Sequence, residues 1–362
     1  MTAAIHKEVN QLRTLDMCAM ALLAALLSVA APAHAAWPQT AEYTVPWTGV
    51  YCTSFMASSK GLSLLGDSED AGMDHPLAGD PCRSLVFFRP ASSEEYGRMH
   101  LGWLWQGKYR SFQAGMNEHG LAYSLTAVPE VQMKRHPERP FLHGRDSFYD
   151  RILRQAANVE EAIKVTLQFD FPSVWFQILF ADASGNAAVI SPSADGELSI
   201  TRKDEGSHVL VASTFNVADP DQFVGHDSFV RYDAAREKLE QLTLQENLDV
   251  KPFASVLQAV SRQHPYVLDG SYTMYSTTYD LTHRQAFIYF LSGFKDPVVI
   301  DLPSELFMGE HTLAVCDLVS GQSIENARAR YWSVQGGGLL GLLVAVGLIA
   351  SATIAVILVL LR

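Results

Sequence analysis

The stretch whose reading decides the fold is "GVYCTSFMASSKGLSLLGDSEDAG", residues 49–72. Cys52 opens a short β-like run, "TSFMA" at 53–57, rich in residues that suit a pleated surface. A polar turn follows. Then Asp67, Glu69, Asp70 and Asp74 crowd together. Taken alone, that acidic group reads as a solvated turn, because its spacing lacks the EF-hand pattern for calcium. A cysteine in such company is ordinarily a buried structural residue.

Downstream, aromatic and aliphatic runs suggest more strands: "LVFF" (85–88), "RMHLGWLW" (98–105), "FQAGM" (112–116) and "LAYSLTAV" (121–128). "NEHG" at 117–120 breaks the last two. Phe148, Ile152 and Ala156 recur at helical spacing. Asn158 with Glu161 forms a capping-box-like start for a second helix. Strands resume at "VWFQILFAD" (174–182), "AAVISP" (187–192), "ELSITRK" (197–203) and "HVLVAST" (208–214). Two more helices follow, "SFVRYDAAREKLEQL" (228–242) and "KPFASVLQAV" (251–260), the second with Pro252 near its first turn. "YTMYSTTYDL" (272–281), "QAFIYFL" (285–291) and "PVVIDL" (297–302) close the series. The order strands, helices, strands, helices, strands predicts an α+β fold with antiparallel sheets.

The 362 residues are 48% hydrophobic and 18% charged, which suits a globular protein and not a disordered one. A net charge of -12 with no basic run argues against a nucleic-acid partner. Residues 1–35 read as a secretory signal. Lys7 and Arg13 precede the apolar run "MCAMALLAALLSVAAP" (17–32), and "AHA" at 33–35 offers a cleavage site. Near the other end, Gly336 to Leu361 carries no charge and is long enough to span a bilayer. A membrane helix over 338–361 would then tether the chain, with 328–337 as a juxtamembrane linker and the domain outside the cytoplasm. Arg328 and Arg330 would lie on the outer side, against the positive-inside rule. Of the four cysteines, Cys18 would leave with the signal. A disulfide between Cys82 and Cys316 would leave Cys52 as the free thiol. Sequence alone does not fix that pairing. The sequence is silent on oligomeric state.

No P-loop, dinucleotide fingerprint, HExxH, paired CxxC or GxSxG elbow occurs, so no cofactor and no metal is expected. The chemistry therefore returns to Cys52. "CTSF", a short turn and "LLGDSED" resemble the start of the linear amide C–N hydrolases. These are the choloylglycine hydrolase-like N-terminal-nucleophile (Ntn) enzymes, related to the penicillin acyltransferases, whose pattern is Cys-Thr-x-Phe then Gly-x-Asn-x-Asp. "AGMNEHGLAYSLTAVP" (114–129) is similar to the family's Gly-Met-Asn-Glu-x-Gly-Leu block. "ILFADASGNAAVI" (178–190) resembles its central strand pair. "VASTFNVADP" (211–220), "SFVRYDAA" (228–235), "YSTTYDL" (275–281) and "IYFLSGFKDPVVIDL" (288–302) follow in the family's order. The resemblance covers about residues 51–305.

The resemblance implies a four-layer αββα sandwich over 52–327 and an amide hydrolase cut just before Cys52, with 36–51 as a propeptide. The exposed α-amine, with an ordinary pKa near 8, would serve as base for the thiol on its own residue. The thiolate would attack a small-molecule linear amide, and water would release the acyl group. Asp70 takes the position of the aspartate that orients the amine. Asn117 belongs to the Met-Asn block. Arg231 aligns with the active-site arginine. The match departs at Asp67 and Ser68, where the bile-salt branch has arginine and asparagine. It departs again at Thr214, where the oxyanion asparagine is expected, with Asn216 two residues on, and at Ala127. An acyltransferase sharing the same acyl-enzyme, or a catalytically weak binding domain, are the other readings.

Overall fold

The computed structural model describes residues 52–71, 81–105, 109–141, 145–220, 226–262, 272–329 and position 347. The chain divides into two units, Met1–Pro46 and Trp47–Arg362, and every described residue belongs to the second. The expected signal at 1–35, the propeptide at 36–51 and Asp74 lie outside the described residues, as does the membrane helix at 338–361 save for position 347. Among the described residues, no helix is long and apolar enough to cross a membrane.

One sheet holds β1 (Thr53–Ser59), β2 (Leu62–Ala71), β10 (Val209–Ser213), β11 (Tyr272–Asp280), β12 (Gln285–Phe290) and β13 (Val298–Asp301). Its order is β10-β1-β2-β11-β12-β13. The second holds β3 (Leu85–Arg89), β4 (Arg98–Trp105), β5 (Tyr109–Asn117), β6 (Ala122–Gln132), β7 (Ser173–Ala181), β8 (Ala187–Pro192), β9 (Leu198–Arg202) and β14 (His311–Ala314). Its order is β14-β3-β4-β5-β6-β7-β8-β9. All ladders within both sheets are antiparallel, as the element order predicts.

Three apolar cores stack the layers. Met56, Leu65, Met99, Leu101, Leu179 and Ile288 pack between the sheets. Helices α1 (Arg145–Gln155) and α2 (Val159–Thr166) cover the eight-stranded sheet through Ile152, Leu153 and Ile163 against Tyr123 and Phe180. Helices α3 (His226–Leu244) and α4 (Val250–Val260) cover the other through Leu239, Phe253 and Leu257 against Phe55, Leu64 and Val211. Alternation along a strand explains the arrangement. Phe55 points to the helical layer and its neighbour Met56 to the opposing sheet, so β1 is buried on both faces. The helix starts follow the sequence signals. Asn158 accepts from the Glu161 backbone at 3.0 Å, while Glu161 accepts from Ala157 N at 2.8 Å. A cap of this kind contributes about 1 kcal/mol. Short helices α5 (Leu302–Phe307) and α6 (Val315–Leu318) are not evident from periodicity. The disulfide left open by the sequence joins Cys82 to Cys316 and so ties the turn at Pro81–Arg83 to α6, and Cys52 is free and buried.

One expectation is overturned. The acidic stretch is not a solvated turn. Asp67, Glu69 and Asp70 lie within β2, between β1 and β11, and none is more than 1% exposed. Acidic residues are depleted in strands, so local sequence hints little at this one. Gly66 makes it possible. A Cβ there would stand 2.4 Å from Phe55 Cε2 and 3.0 Å from Phe253 Cε1, in a core where neither ring is exposed. We expect Gly66→Ala to destabilise the protein by about 1–3 kcal/mol through overpacking, read as a lower denaturant midpoint at unchanged m-value.

Candidate active site

The β1–β2 ladder pairs Thr53 with Ser68 and Ser54 with Asp67, which brings Cys52 alongside the next residue, Glu69. Cys52 Sγ donates to Glu69 Oε2 at 3.4 Å, and the cysteine is 1% exposed. Thr53 N donates to Ser68 Oγ at 3.2 Å, which fixes the register where the strand begins. Side chains then part to opposite faces of β2. Asp67 turns to the eight-stranded sheet, where Ser124 Oγ donates to it at 2.5 Å. Asp70 turns to the helical layer, where Arg231 Nη1 of α3 donates to its Oδ2 at 2.7 Å. Thr273 of β11 donates to the other oxygen.

A second line of contacts returns to the cysteine. Thr214 Oγ1 donates to the carbonyl oxygen of Cys52 at 3.1 Å, and Arg231 Nη2 reaches Thr214 Oγ1 at 3.5 Å. Arg231 also meets Asp227 one helical turn earlier, at 3.1 Å, and Arg262 shares that carboxylate at 3.4 Å. Cys52, Asp70, Thr214 and Arg231 therefore form one connected, buried group, although they come from four separate parts of the chain.

The remaining two candidates are committed elsewhere. Asn117 donates to the carbonyls of Leu153 and Ala156 at 2.8 and 2.7 Å. Its oxygen accepts from the backbones of His119 and Leu121. Both amide protons and both oxygen lone pairs thus serve the β5–β6 turn and the end of α1. Gly120, at φ 78° and close to the Leu281 carbonyl, completes that turn. The Met-Asn-Glu-x-Gly-Leu block is thus a packing signature. Asn216 donates to the Pro192 carbonyl at 2.6 Å and accepts from Ala218 N, so its amide holds the loop after β10. Glu69, by contrast, touches the thiol, and sequence reasoning missed it as a site residue. Its signal is present in the register, since a strand starting at Cys52 and folding back on "GDSED" places a carboxylate there.

Burial dominates the electrostatics. It pushes the Cys52 thiol well above its usual value, and Glu69, Asp70 and Asp67 add repulsion, opposed by a hydrogen bond from the Asp70 backbone. Asp67 is pushed up to about 7, again by burial, with Asp70 adding to it against the Ser124 hydrogen bond. Asp70 is pushed up to about 6 by burial in spite of Arg231, Arg262 and Thr273, so its ion pair still holds at neutral pH. A thiol in this setting keeps its proton and needs a base in contact to become a nucleophile. A separate buried network, His100–Asp150–Arg98, ties β4 to α1. A cavity of about 390 Å³ lined by Phe290, Phe294 and Lys295, among others, contains none of the site residues. Among the described residues, no cluster of three His, Cys, Asp or Glu side chains is placed to hold a metal ion.

Residues 99–290 match the family described as acyl-coenzyme A:6-aminopenicillanic acid acyl-transferase. The chain belongs to that family. The matched span includes Thr214 and Arg231 and begins after Cys52 and Asp70. Among solved structures, it is similar to a mutant of the conjugated bile acid hydrolase from Clostridium perfringens. That similarity has a TM-score of 0.54 at 16% identity, over 72% of this chain and 95% of the other. It is also similar to penicillin V acylase from Agrobacterium tumefaciens, with a TM-score of 0.52 at 19% identity, over 70% of this chain and 86% of that one. These are Ntn hydrolases, and at such identities they share the fold. The comparison with curated proteins returns no match.

The raised aspartates predict a pH dependence of stability. Folded Asp67 keeps its proton up to about 7, whereas an unfolded aspartate releases it near 3.9. Between those values the folded chain binds the extra proton. The stabilisation is therefore full at low pH and is lost as pH rises through about 7. Asp70, at about 6, acts in the same direction over a narrower window. We expect Asp67→Asn to flatten the decline in stability between about pH 5 and 8 by on the order of 3 kcal/mol. Denaturant midpoints across that range would show it, and a wild-type slope in the variant would place the titration elsewhere.

Proposed function

We propose that this protein cleaves linear amide bonds with Cys52 as nucleophile. The observation that carries the reading is the connected group of Cys52, Thr214, Arg231 and Asp70 at the start of β1. The chain is cut between Tyr51 and Cys52, and the new α-amine becomes the base for the thiol on the same residue. An amine with an ordinary pKa near 8 is partly unprotonated at neutral pH, which suits proton transfer. Proton transfer to it lets the thiolate attack the substrate carbonyl and form an acyl-thioester. Water then releases the acid.

Arg231 and Thr214 position the nucleophile. Thr214 grips the Cys52 carbonyl, and Arg231 joins Thr214 to Asp70 so that the nucleophile's backbone and the amine-orienting carboxylate move as one unit. Burial opposes release of the thiol proton to water, which favours attack concerted with proton transfer over a standing thiolate. Transfer of the acyl group to an amine instead of water is a second reading, favoured by the description of the matched family. Both share the acyl-enzyme, and product analysis separates them. The Cys82–Cys316 disulfide supports an oxidising, extracytoplasmic location for the domain, with residues 338–361 as the proposed membrane tether.

N-terminal sequencing of the purified mature chain should read Cys-Thr-Ser-Phe. A start at Ala36 would leave the amine base unavailable and sink the mechanism. Cys52→Ala should abolish amidase activity while keeping the fold, measured by acid release from a panel of N-acyl amino acids and small linear amides. Thr214→Val, which deletes the bond to the Cys52 carbonyl, should lower kcat by roughly 10- to 100-fold, an effect typical of lost positioning.

A further inference from the structure

The proposed cut before Cys52 raises a problem that the mature mechanism does not solve. Until that bond breaks, the Cys52 nitrogen is a peptide nitrogen and cannot act as a base. Some other group must take the thiol proton in the uncut chain. We infer that Glu69 is the general base of this first step, distinct from the α-amine that serves afterwards. The inference rests on the Cys52 reading above.

Three observations converge on Glu69. Its Oε2 accepts from Cys52 Sγ at 3.4 Å, so the acceptor is already in contact with the proton to be moved. Asp70 is held by Arg231 and Thr273, and Asp67 by Ser124 of the other sheet, so each of the neighbouring carboxylates is engaged elsewhere. Glu69 itself shows no exposure and sits in the ladder between β1 and β11, so it is placed by the sheet and not by a mobile loop.

The charge balance favours this route. Releasing the thiol proton to water would create a new buried anion beside three carboxylates, and burial together with those charges opposes it. Passing the proton from Cys52 to an ionised Glu69 moves one negative charge a short way and adds none. The S–H bond breaks, Oε2 takes the proton, and the sulfur forms a bond to the Tyr51 carbonyl carbon. The bond from that carbon to the Cys52 nitrogen then breaks. The nitrogen needs a proton to leave as an amine, and the Glu69 carboxylic acid holds one. The result is a Tyr51 thioester on Cys52, with Glu69 ionised again. Water hydrolyses the thioester, giving a Tyr51 carboxylate, the free thiol and the free α-amine.

The test separates the cutting step from turnover. The full chain carries wild-type Glu69, Glu69→Gln or Glu69→Asp, and intact mass is followed with time. Each form is also made with residues 46–51 replaced by a protease recognition sequence whose cleavage leaves Cys52 first. We expect Glu69→Gln to slow self-cleavage by about 10²–10⁴-fold, the usual contribution of a general base. Glu69→Asp should recover part of that rate. Cleavage by the added protease bypasses that step, so relative to the wild type cut in the same way the Glu69→Gln chain should lose less amidase activity than it loses self-cleavage rate. Self-cleavage of Glu69→Gln at the wild-type rate overturns the role of Glu69 and leaves the Cys52 mechanism standing. A protease-cut Glu69→Gln chain whose amidase activity falls as far as its self-cleavage rate also overturns it, because the residue would then serve both steps alike. A wild-type chain that never acquires Cys52 as its first residue overturns both proposals.

Discussion

Asp70 carries a carboxylate into a fully buried position on a central strand, and Arg231 meets it at 2.7 Å from the helical layer. A buried carboxylate left alone would either shift to its neutral form or open the structure to water. The guanidinium, with Thr273 on the other oxygen, makes that burial tolerable. Because Arg231 lies on α3, Asp70 on β2 and Thr273 on β11, the pair also fixes how this helix sits on its sheet. Such a pair adds little net stability compared with apolar packing, yet breaking it is costly, so it constrains geometry more than it stabilises.

The thiol inherits its setting from that constraint. With Asp70 held toward the helices, alternation along β2 sends Asp67 and Glu69 to the opposite face. Glu69 arrives at Cys52 because the β1–β2 register pairs Thr53 with Ser68 and so sets the two flanking residues side by side. Thr214 arrives because β10 pairs with β1 through Ser213 and Thr53. The Cys52 thiol thus adjoins the first residue of a regular strand, which positions a side chain more tightly than a loop does. The same close packing leaves the thiol buried.

Much of the fold was legible in the sequence. The strands "RMHLGWLW" and "AAVISP" match β4 and β8, and Asn158 with Glu161 starts α2 as its spacing predicts. These elements obey local rules of propensity, alternation and capping. The strand β2 did not, because "GDSED" within it is made of residues that ordinarily mark turns. Its conformation is imposed by β1 and β11 on either side. The site was legible to the same extent. Cys52, Asp70, Thr214 and Arg231 were identified by resemblance and form one connected group, while Asn117, from the same resemblance through its Met-Asn block, and Asn216, from its place two residues after Thr214, turn out to satisfy backbone carbonyls. An asparagine side chain offers the same donors to a substrate and to a helix end, so type alone could not separate the two uses.

The sequence by itself determined the α+β class, the order of most elements and the kinship of the chain. Those properties follow from local patterns and ordered motifs that read along the chain. Tertiary structure alone decided that the acidic stretch is a buried strand, that Cys82 bonds Cys316, and that Glu69 is the carboxylate at the thiol. Each depends on residues far apart in sequence meeting across a sheet, and on burial changing the chemistry of a side chain whose identity stays the same.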